Sequence, residues 1–191
     1  MKSPFFAYIA RMRYISRWAL MRNTRTENVQ EHSHMVAVLA HALAVIRNRR
    51  FGGSVDTGAV TLAALYHDAS EIFTGDLPTP IKYYNNTLRD SYREVERIAC
   101  DKLISLLPQE LRADFAPALT EVSDEVHTLV KAADKLSAYI KCIDERKAGN
   151  IEFSRAEEQT LAALRELQLP EVDYFLENFM GSFHLTLDEL Q

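Results

Sequence analysis

Cysteine is scarce in this chain: two in 191 residues. Cys100 and Cys142 stand far apart in sequence. That excludes a disulfide framework or a zinc-ribbon spacing, and a reducing cytoplasm is the simplest setting. No apolar run approaches the roughly 20 residues needed to cross a bilayer, so no membrane partner is expected. Positive charge is not in excess either. The formal net charge is -5, which argues against a general surface for nucleic-acid polymers and leaves room only for a local basic pocket. Internal repeats, low-complexity tracts and linkers are missing, and strand-like alternation is almost absent. The N-terminal stretch MKSPFFAYIARMRYISRWALMR is basic and partly apolar. Arg11 and Arg13 interrupt it and no small-residue cleavage site follows, so it reads as mature structure and not as a signal peptide.

What the chain does contain is helical periodicity in a composition, 47% apolar and 26% charged, typical of a globular protein. Its length suits one domain over residues 1–191 with a substantial core. Residues 5–15 fit a short amphipathic helix. Residues 27–49 carry Val29, Val36, Leu39, Leu43 and Ile46 near helical period, and FGGS stops them. Asp56 is placed to cap a helix running through Val60, Leu62 and Leu65 to Tyr66. A short helix or turn follows through Glu71 and ends at Gly75. The two prolines of DLPTP exclude regular helix there. Residues 87–107 form a long helix with Tyr92, Val95, Ile98, Ala99, Leu103 and Leu106 as apolar positions. A shorter helix begins near Pro108. Asp124 opens another long one, closed by Gly149, and segments 153–168 and 170–180 complete the set. The expected fold class is all-α, a single-domain bundle of roughly seven to nine helices.

Several ionisable residues do not fit a simple surface. The apolar run VTLAALY ends in His67 and Asp68, with Glu71 and Asp76 close behind. If the helix continues, Glu71 lies one turn from both His67 and Asp68. One reading is a helix C-terminus in which His67 favours the dipole and Asp68 caps the next turn. His32, amid an apolar helical stripe, and Asp134, flanked by alanines in LVKAADKLSAYI, supply another. Two imidazoles and two carboxylates from three helices can share one cation. Such a shell suits manganese, cobalt, iron, nickel, zinc or magnesium, and disfavours calcium or copper(I). The spacings are too wide for the sequence to decide between the two readings.

The ordered set His32, His67-Asp68, Asp134 resembles the H…HD…D signature of the HD-domain metal-dependent phosphohydrolases. The segments SRWALMRNTRTENVQEHS, YHDASEIFTGDLPTPIKY, VKAADKLSAYIKC and DYFLENFMGSFHLTLDEL are similar, in order, to the bacterial 5'-deoxynucleotidases. The resemblance covers nearly the whole chain with no departure at the motif positions. It implies an HD-type helical bundle, a homodimer, and removal of the 5'-phosphate from deoxyribonucleoside monophosphates with one divalent cation, such as cobalt or manganese. The metal set it implies is His32, His67, Asp68 and Asp134. Of these, His32, Asp68 and Asp134 also border the substrate. Glu71, outside that set and one turn away, is the candidate general acid or base; the alternative is a partner that orients His67. The resemblance further implies that Arg17 orients the phosphate through its planar fork. Trp18 would pack where a ribose 2'-hydroxyl would sit, and the loop of Asp76, Leu77, Pro78 and Thr79 would touch substrate. On their own, Arg17 and Trp18 read more simply as a surface arginine beside a core tryptophan, and Asp76 as a turn cap.

A second metal would need further histidines. His127 lies seven residues before Asp134, ~10 Å along a helix, too far to share one cation. His34 and His41 point away from His32, and His184 sits in a non-helical stretch, so a single-metal site is expected. Arg22 and Arg25 read as a solvated basic loop near the site, outside the catalytic set. Two rival functions remain at this point: an HD hydrolase for a triphosphate, a cyclic nucleotide or an alarmone, and a non-catalytic nucleotide-binding helical protein.

Overall fold

The computed structural model describes residues 2–82 and 84–191, with only the backbone described for Thr79 and Pro80. The chain runs through α1 (Phe5–Ile9), a 3-10 turn (Ala10–Tyr14), α2 (Val29–Arg50), α3 (Thr57–Tyr66), α4 (Glu71–Thr74), α5 (Thr79–Lys82) and α6 (Asn86–Ser105). It continues through a 3-10 turn (Gln109–Leu111), α7 (Arg112–Leu119), α8 (Asp124–Lys147), a 3-10 turn (Ile151–Phe153), α9 (Ser154–Arg165) and α10 (Pro170–Asn178). It closes in 3-10 turns over Met180–His184 and Leu187–Leu190. The all-α expectation holds. Strand-like pairing among the described residues is confined to one isolated antiparallel bridge, Ser16 to Asn28. No helix among them is long and apolar enough to cross a membrane.

The helix starts are chemically marked. Asn28 caps α2 through a capping box: its side chain accepts from Glu31 N at 3.0 Å, and Glu31 reaches back to the Asn28 amide. Asp56 caps α3 by accepting from Gly58 N and Ala59 N at 2.8 and 3.0 Å, as its position in sequence suggests. Beyond α8, Gly149 takes φ 82°, a conformation that ends a helix at little steric cost when the residue is glycine.

The main core lies where α2, α3 and α8 pack on one another and on α9 and α10, around Leu39, Leu43, Val60, Leu129, Leu136, Ile143, Leu164 and Phe175. A second apolar cluster joins Phe5, Ala69, Leu103, Leu107 and Leu119, and so ties α1, the segment after α3, α6 and α7 together. Burying side chains of this size contributes ~1.5–3 kcal/mol each. The central helices are thereby rigid supports for whatever they carry.

Three expectations need correction. Residues 5–15 are not one helix but α1 followed by a 3-10 turn. DLPTP is not wholly irregular: one α-turn starts at Thr79, with the Pro78 carbonyl accepting from Ile81 N and Lys82 N. Pro80 falls in the first turn, where its missing N–H has no helical partner to lose. On the outer helices, Leu62, Leu65, Val95 and Ile98 are exposed, because α3 turns Val60, Ala63 and Ala64 inward and α6 turns Ala99 and Leu103 inward.

Candidate active site

Three of the core helices deliver four ionisable side chains to one place. His32 stands one turn inside α2 and is 1% exposed. His67 and Asp68 leave the C-terminal end of α3, and Asp134 projects from the middle of α8. The Asp68 Oδ2 atom lies 3.2 Å from His67 Nε2 and 3.6 Å from His32 Nε2. Asp134 Oδ1 lies 3.0 Å from His32 Nε2. Ligand atoms of His32, His67 and Asp68 all fall within 4.8 Å of one another, and they are the metal-compatible cluster among the described residues.

Each imidazole has its outer nitrogen already engaged. His67 Nδ1 is 2.7 Å from the Ala64 carbonyl, which only accepts, so Nδ1 carries the proton and Nε2 presents a lone pair. His32 Nδ1 lies 3.2 Å from Ser137 Oγ. Both Nε2 atoms are buried and lack a hydrogen bond. Buried polar atoms are normally satisfied, and two orphaned imidazole nitrogens facing two carboxylates fit a divalent transition metal or magnesium.

The electrostatics are those of a concentrated charge cluster. Burial disfavours the charge on Asp68, yet His67, His32 and Arg17 outweigh it and hold the carboxyl far below the usual range. Asp134 is likewise lowered against its burial, by its close approach to His32 Nε2 and the charges of His32 and His67. Burial opposes the His67 imidazolium, but the charges of Asp68 and Asp134 raise its pKa. Glu71 goes the other way. It is 6% exposed, its Oε2 has no hydrogen-bond partner, and burial with the neighbouring Asp68 and Asp76 charges pushes it up to about 9. Burial and these two neighbouring charges thus favour the protonated carboxyl.

Glu71 does not sit on a continuous helix with His67. The turn His67–Ser70 intervenes, closed by Ala69 N to Tyr66 O at 2.9 Å and Glu71 N to Asp68 O at 3.0 Å, and Glu71 opens α4. Gly75, at φ 71°, then releases the chain into Asp76–Pro78. Asp76, Leu77 and Pro78 are half-buried. Burial raises the Asp76 carboxyl, with Arg17 acting against it and Asp68 with it, so Asp76 shares the field of the cluster. The side chain of Thr79 lies outside the described residues.

Arg17 reaches the cluster from the loop of residues 16–28, and Trp18 follows it in that loop. Arg17 donates from Nε to Glu27 at 3.2 Å and from Nη1 to Asp68 at 3.2 Å, and Nη2 lies 3.9 Å from Asp134. It is no surface arginine. Asp68 and Asp134 keep its guanidinium protonated against the cost of burial. Trp18 adopts φ 57°, a left-handed conformation that costs a bulky residue ~1–2 kcal/mol. Hydrogen bonds to its carbonyl from Met21 N and Asn23 Nδ2 offset that strain. Its ring packs 5.3 Å from that of Phe153, and its buried Nε1 has no acceptor.

His34, His41, His127 and His184 are all exposed and outside the cluster. Sequence reasoning missed Ser137 and Glu27, the groups that hold His32 and Arg17. Ser137 follows Asp134 by one helical turn, a spacing that brings the two to neighbouring positions; nothing in the sequence marks Glu27.

Comparison with known proteins agrees with this geometry. The chain is 53% identical to 5'-deoxynucleotidase YfbR of Escherichia coli over 191 residues, covering 99% of this chain and 96% of that protein. Its fold matches an HD-domain phosphohydrolase from Listeria innocua with a TM-score of 0.81 at 26% identity, over 94% of this chain and 87% of the other. A cyanophage S-2L HD phosphohydrolase, DatZ, described as bound to dA and one catalytic Zn2+ ion, matches at TM-score 0.67 and 19% identity, over 94% and 96% of the two chains. At that identity the likeness speaks for the fold alone. The family model described as 5'-deoxynucleotidase YfbR-like matches residues 4–183, and the chain therefore belongs to the YfbR-like 5'-deoxynucleotidase family.

Proposed function

We propose that this protein hydrolyses deoxyribonucleoside 5'-monophosphates to deoxyribonucleosides and phosphate at the His32, His67, Asp68 and Asp134 cluster. The observation that carries the reading is the pair of orphaned Nε2 atoms beside Asp68, with the buried Glu71 carboxyl, its Oε2 unpartnered, close by. The Escherichia coli relative at 53% identity, named for this activity, supports it. The four side chains would hold one divalent cation. Cobalt, manganese or a similar transition metal suits the mixed nitrogen and oxygen set, and the cyanophage protein's single zinc is consistent with that chemistry. Such a cation, when bound, neutralises phosphoryl charge and acidifies a water.

The remaining work falls to the chain's own groups. Arg17 presents its Nη2 face to the phosphate while Glu27 and Asp68 fix the rest of its fork. A water oxygen joins phosphorus as the bond from phosphorus to the 5'-oxygen breaks, and Glu71 delivers the proton that the departing 5'-oxygen takes up. Trp18 forms the wall beside the 2' position. The Asp76–Thr79 loop, its path limited by Pro78, lies along the sugar, so little ordering remains to be done on binding. The protein acts in the cytoplasm on small nucleotides, without nucleic-acid polymer or membrane as partner. It works as a homodimer, for which the exposed apolar side chains of α2 and α3, Val38, Val45, Leu62 and Leu65, supply surface.

The test is phosphate release from a panel of deoxy- and ribonucleoside mono-, di- and triphosphates and cyclic nucleotides, with metal content measured on the same sample. Turnover confined to 5'-monophosphates with a deoxy preference supports the reading. Metal-loaded protein that turns over only triphosphates or cyclic nucleotides, or releases no phosphate at all, overturns it.

A further inference from the structure

Among the described residues outside the active site, Glu145 is a buried charge with an unusually full set of partners, and nothing in the proposed chemistry uses it. It is 1% exposed. Its carboxylate accepts from Thr24 N at 2.9 Å, Thr24 Oγ1 at 2.6 Å, Arg25 N at 3.3 Å and Asn150 Nδ2 at 2.8 Å, and it pairs with Lys141. Lys141 Nζ also donates to the Arg25 carbonyl at 2.6 Å, and Asn150 Nδ2 donates to the Arg22 carbonyl at 2.7 Å. Every one of these bonds except the Lys141 and Asn150 pairs reaches from the end of α8 to residues 22–25. A buried ion pair is costly to desolvate, and hydrophobic residues of similar volume often serve stability as well. Stability alone therefore does not account for a charge pair at this place.

The geometry supplies one. Asp134, Lys141 and Glu145 follow one another at seven and four residues on α8, so all three lie on one face of the helix. Glu145 is three turns, ~16 Å, beyond Asp134. The loop of residues 16–28 runs along that face. At its base the Ser16–Asn28 bridge closes it, with Arg17 N donating to Glu27 O at 2.9 Å and Val29 N to Ile15 O at 3.0 Å. At its near end Arg17 meets Asp68 and Asp134. At its far end the loop meets Glu145. Within the span Trp18 packs on Phe153, whereas residues 24–27 border a cavity of about 440 Å³ that also reaches Met35, Ser137, Ile140, Lys141 and Glu145.

We infer that Glu145, with Lys141 and Asn150, is a positioning node that sets the Arg17–Trp18 segment against the metal cluster and so governs substrate affinity and sugar selection. It touches no reacting atom. It acts by fixing residues 22–25, from which the chain doubles back to the strained Trp18, whose carbonyl is tied to Met21 N and Asn23 Nδ2. A shift of order 1 Å in a clamp can cost about 100-fold in rate. The inference rests on the assignment of Arg17 to phosphate and Trp18 to the 2' position.

The experiment uses the full-length metal-loaded protein and the substrates dAMP and AMP. Glu145→Gln keeps the shape but turns an amide group toward donors that need an acceptor. It is expected to raise KM for dAMP about 10-fold with a smaller fall in kcat, and to lower the dAMP to AMP ratio of kcat/KM, at unchanged metal content. Thr24→Val alters an exposed residue and removes only one of the bonds, so it stays folded even if Glu145→Gln does not, and it is expected to move the same parameters by a smaller factor. In an Arg17→Ala background, Glu145→Gln is expected to lose its effect on KM, because the group it positions is gone. If Trp18→Ala and Arg17→Ala change the parameters as assigned while Glu145→Gln and Thr24→Val leave KM and the ratio within two-fold, the positioning role is wrong and the assignment stands. If Trp18→Ala and Arg17→Ala themselves change nothing, the assignment fails and takes the inference with it.

Discussion

Arg17 Nη1 and His67 Nε2 stand 3.2 Å from the same oxygen, Oδ2 of Asp68. One carboxylate atom thus joins the loop that carries the candidate phosphate clamp to the helix end that carries the candidate metal ligands. Removing it leaves a buried guanidinium and two imidazoles without their shared counter-charge.

Asp68→Ala is accordingly expected to lose both metal and activity, and His67→Ala to do the same. Breaking a buried charge group by deleting one partner costs ~3–5 kcal/mol, so Tm falls as well. Metal analysis and phosphate release on the purified variants check this. A variant that keeps full metal and turnover removes that residue from the site.

Ser137→Ala should act more mildly and only through His32. The Ser137 hydroxyl is the partner of His32 Nδ1 at 3.2 Å. Groups that orient a metal-binding histidine from behind change metal affinity by ~10–100-fold when removed. The expected result is a metal dissociation constant raised in that range, with kcat restored at saturating metal. A competitive chelator titration measures it. An unchanged constant would mean that packing against α8 alone orients the ring.

The sequence made the chemistry legible where it contradicts its surroundings. His32 and Asp134 are conspicuous because each interrupts an apolar helical stripe, and His67-Asp68 because it ends one. Asp56 and Gly149 mark helix ends by mechanisms that operate locally. What was not legible depends on tertiary placement. Val95 and Ile98 share the apolar stripe of α6 with Ala99 and Leu103, and period alone does not say which flank of the stripe meets the bundle. His67 and Glu71 have helical spacing, yet the chain turns between them so that Ala69 is buried against Phe5 and Leu103. Glu27, Ser137 and Glu145 look like ordinary polar helix and loop residues until the fold brings them to Arg17, His32 and residues 24–25.

Trp18 carries the prediction on sugar choice. Deoxy and ribo substrates differ by one hydroxyl, and forcing that hydroxyl against an apolar ring costs ~1–3 kcal/mol, or about 10–100-fold. Trp18→Ala is expected to lower the dAMP to AMP ratio of kcat/KM by that factor. Arg17→Ala is expected to lower activity on both together, since both carry the same phosphate. A ratio unchanged in Trp18→Ala would move the selectivity to the Asp76–Thr79 loop.

Glu71 separates chemistry from stability. Glu71→Gln leaves the four candidate ligands in place, so metal content should persist while kcat falls by ~10²–10⁴, the range for a lost general acid or base. Loss of metal would instead make Glu71 structural. The stability effect has the opposite sign. The carboxyl is pushed up to about 9, by burial first and then by Asp68 and Asp76, well above its ordinary value. A group whose folded pKa is raised stabilises the fold fully below its unfolded pKa, and that contribution is lost as pH climbs through the folded value. In metal-free protein, the wild type should therefore lose stability as pH rises from the ordinary glutamate range toward 9. Glu71→Gln, which has no proton to lose, should not share that decline. The Tm difference, variant minus wild type, is expected to grow steadily between pH 5 and pH 9 in chelator-treated samples. Parallel Tm curves across that interval would show that Glu71 is already ionised in the folded chain, which would recast it as a base that takes a proton from water.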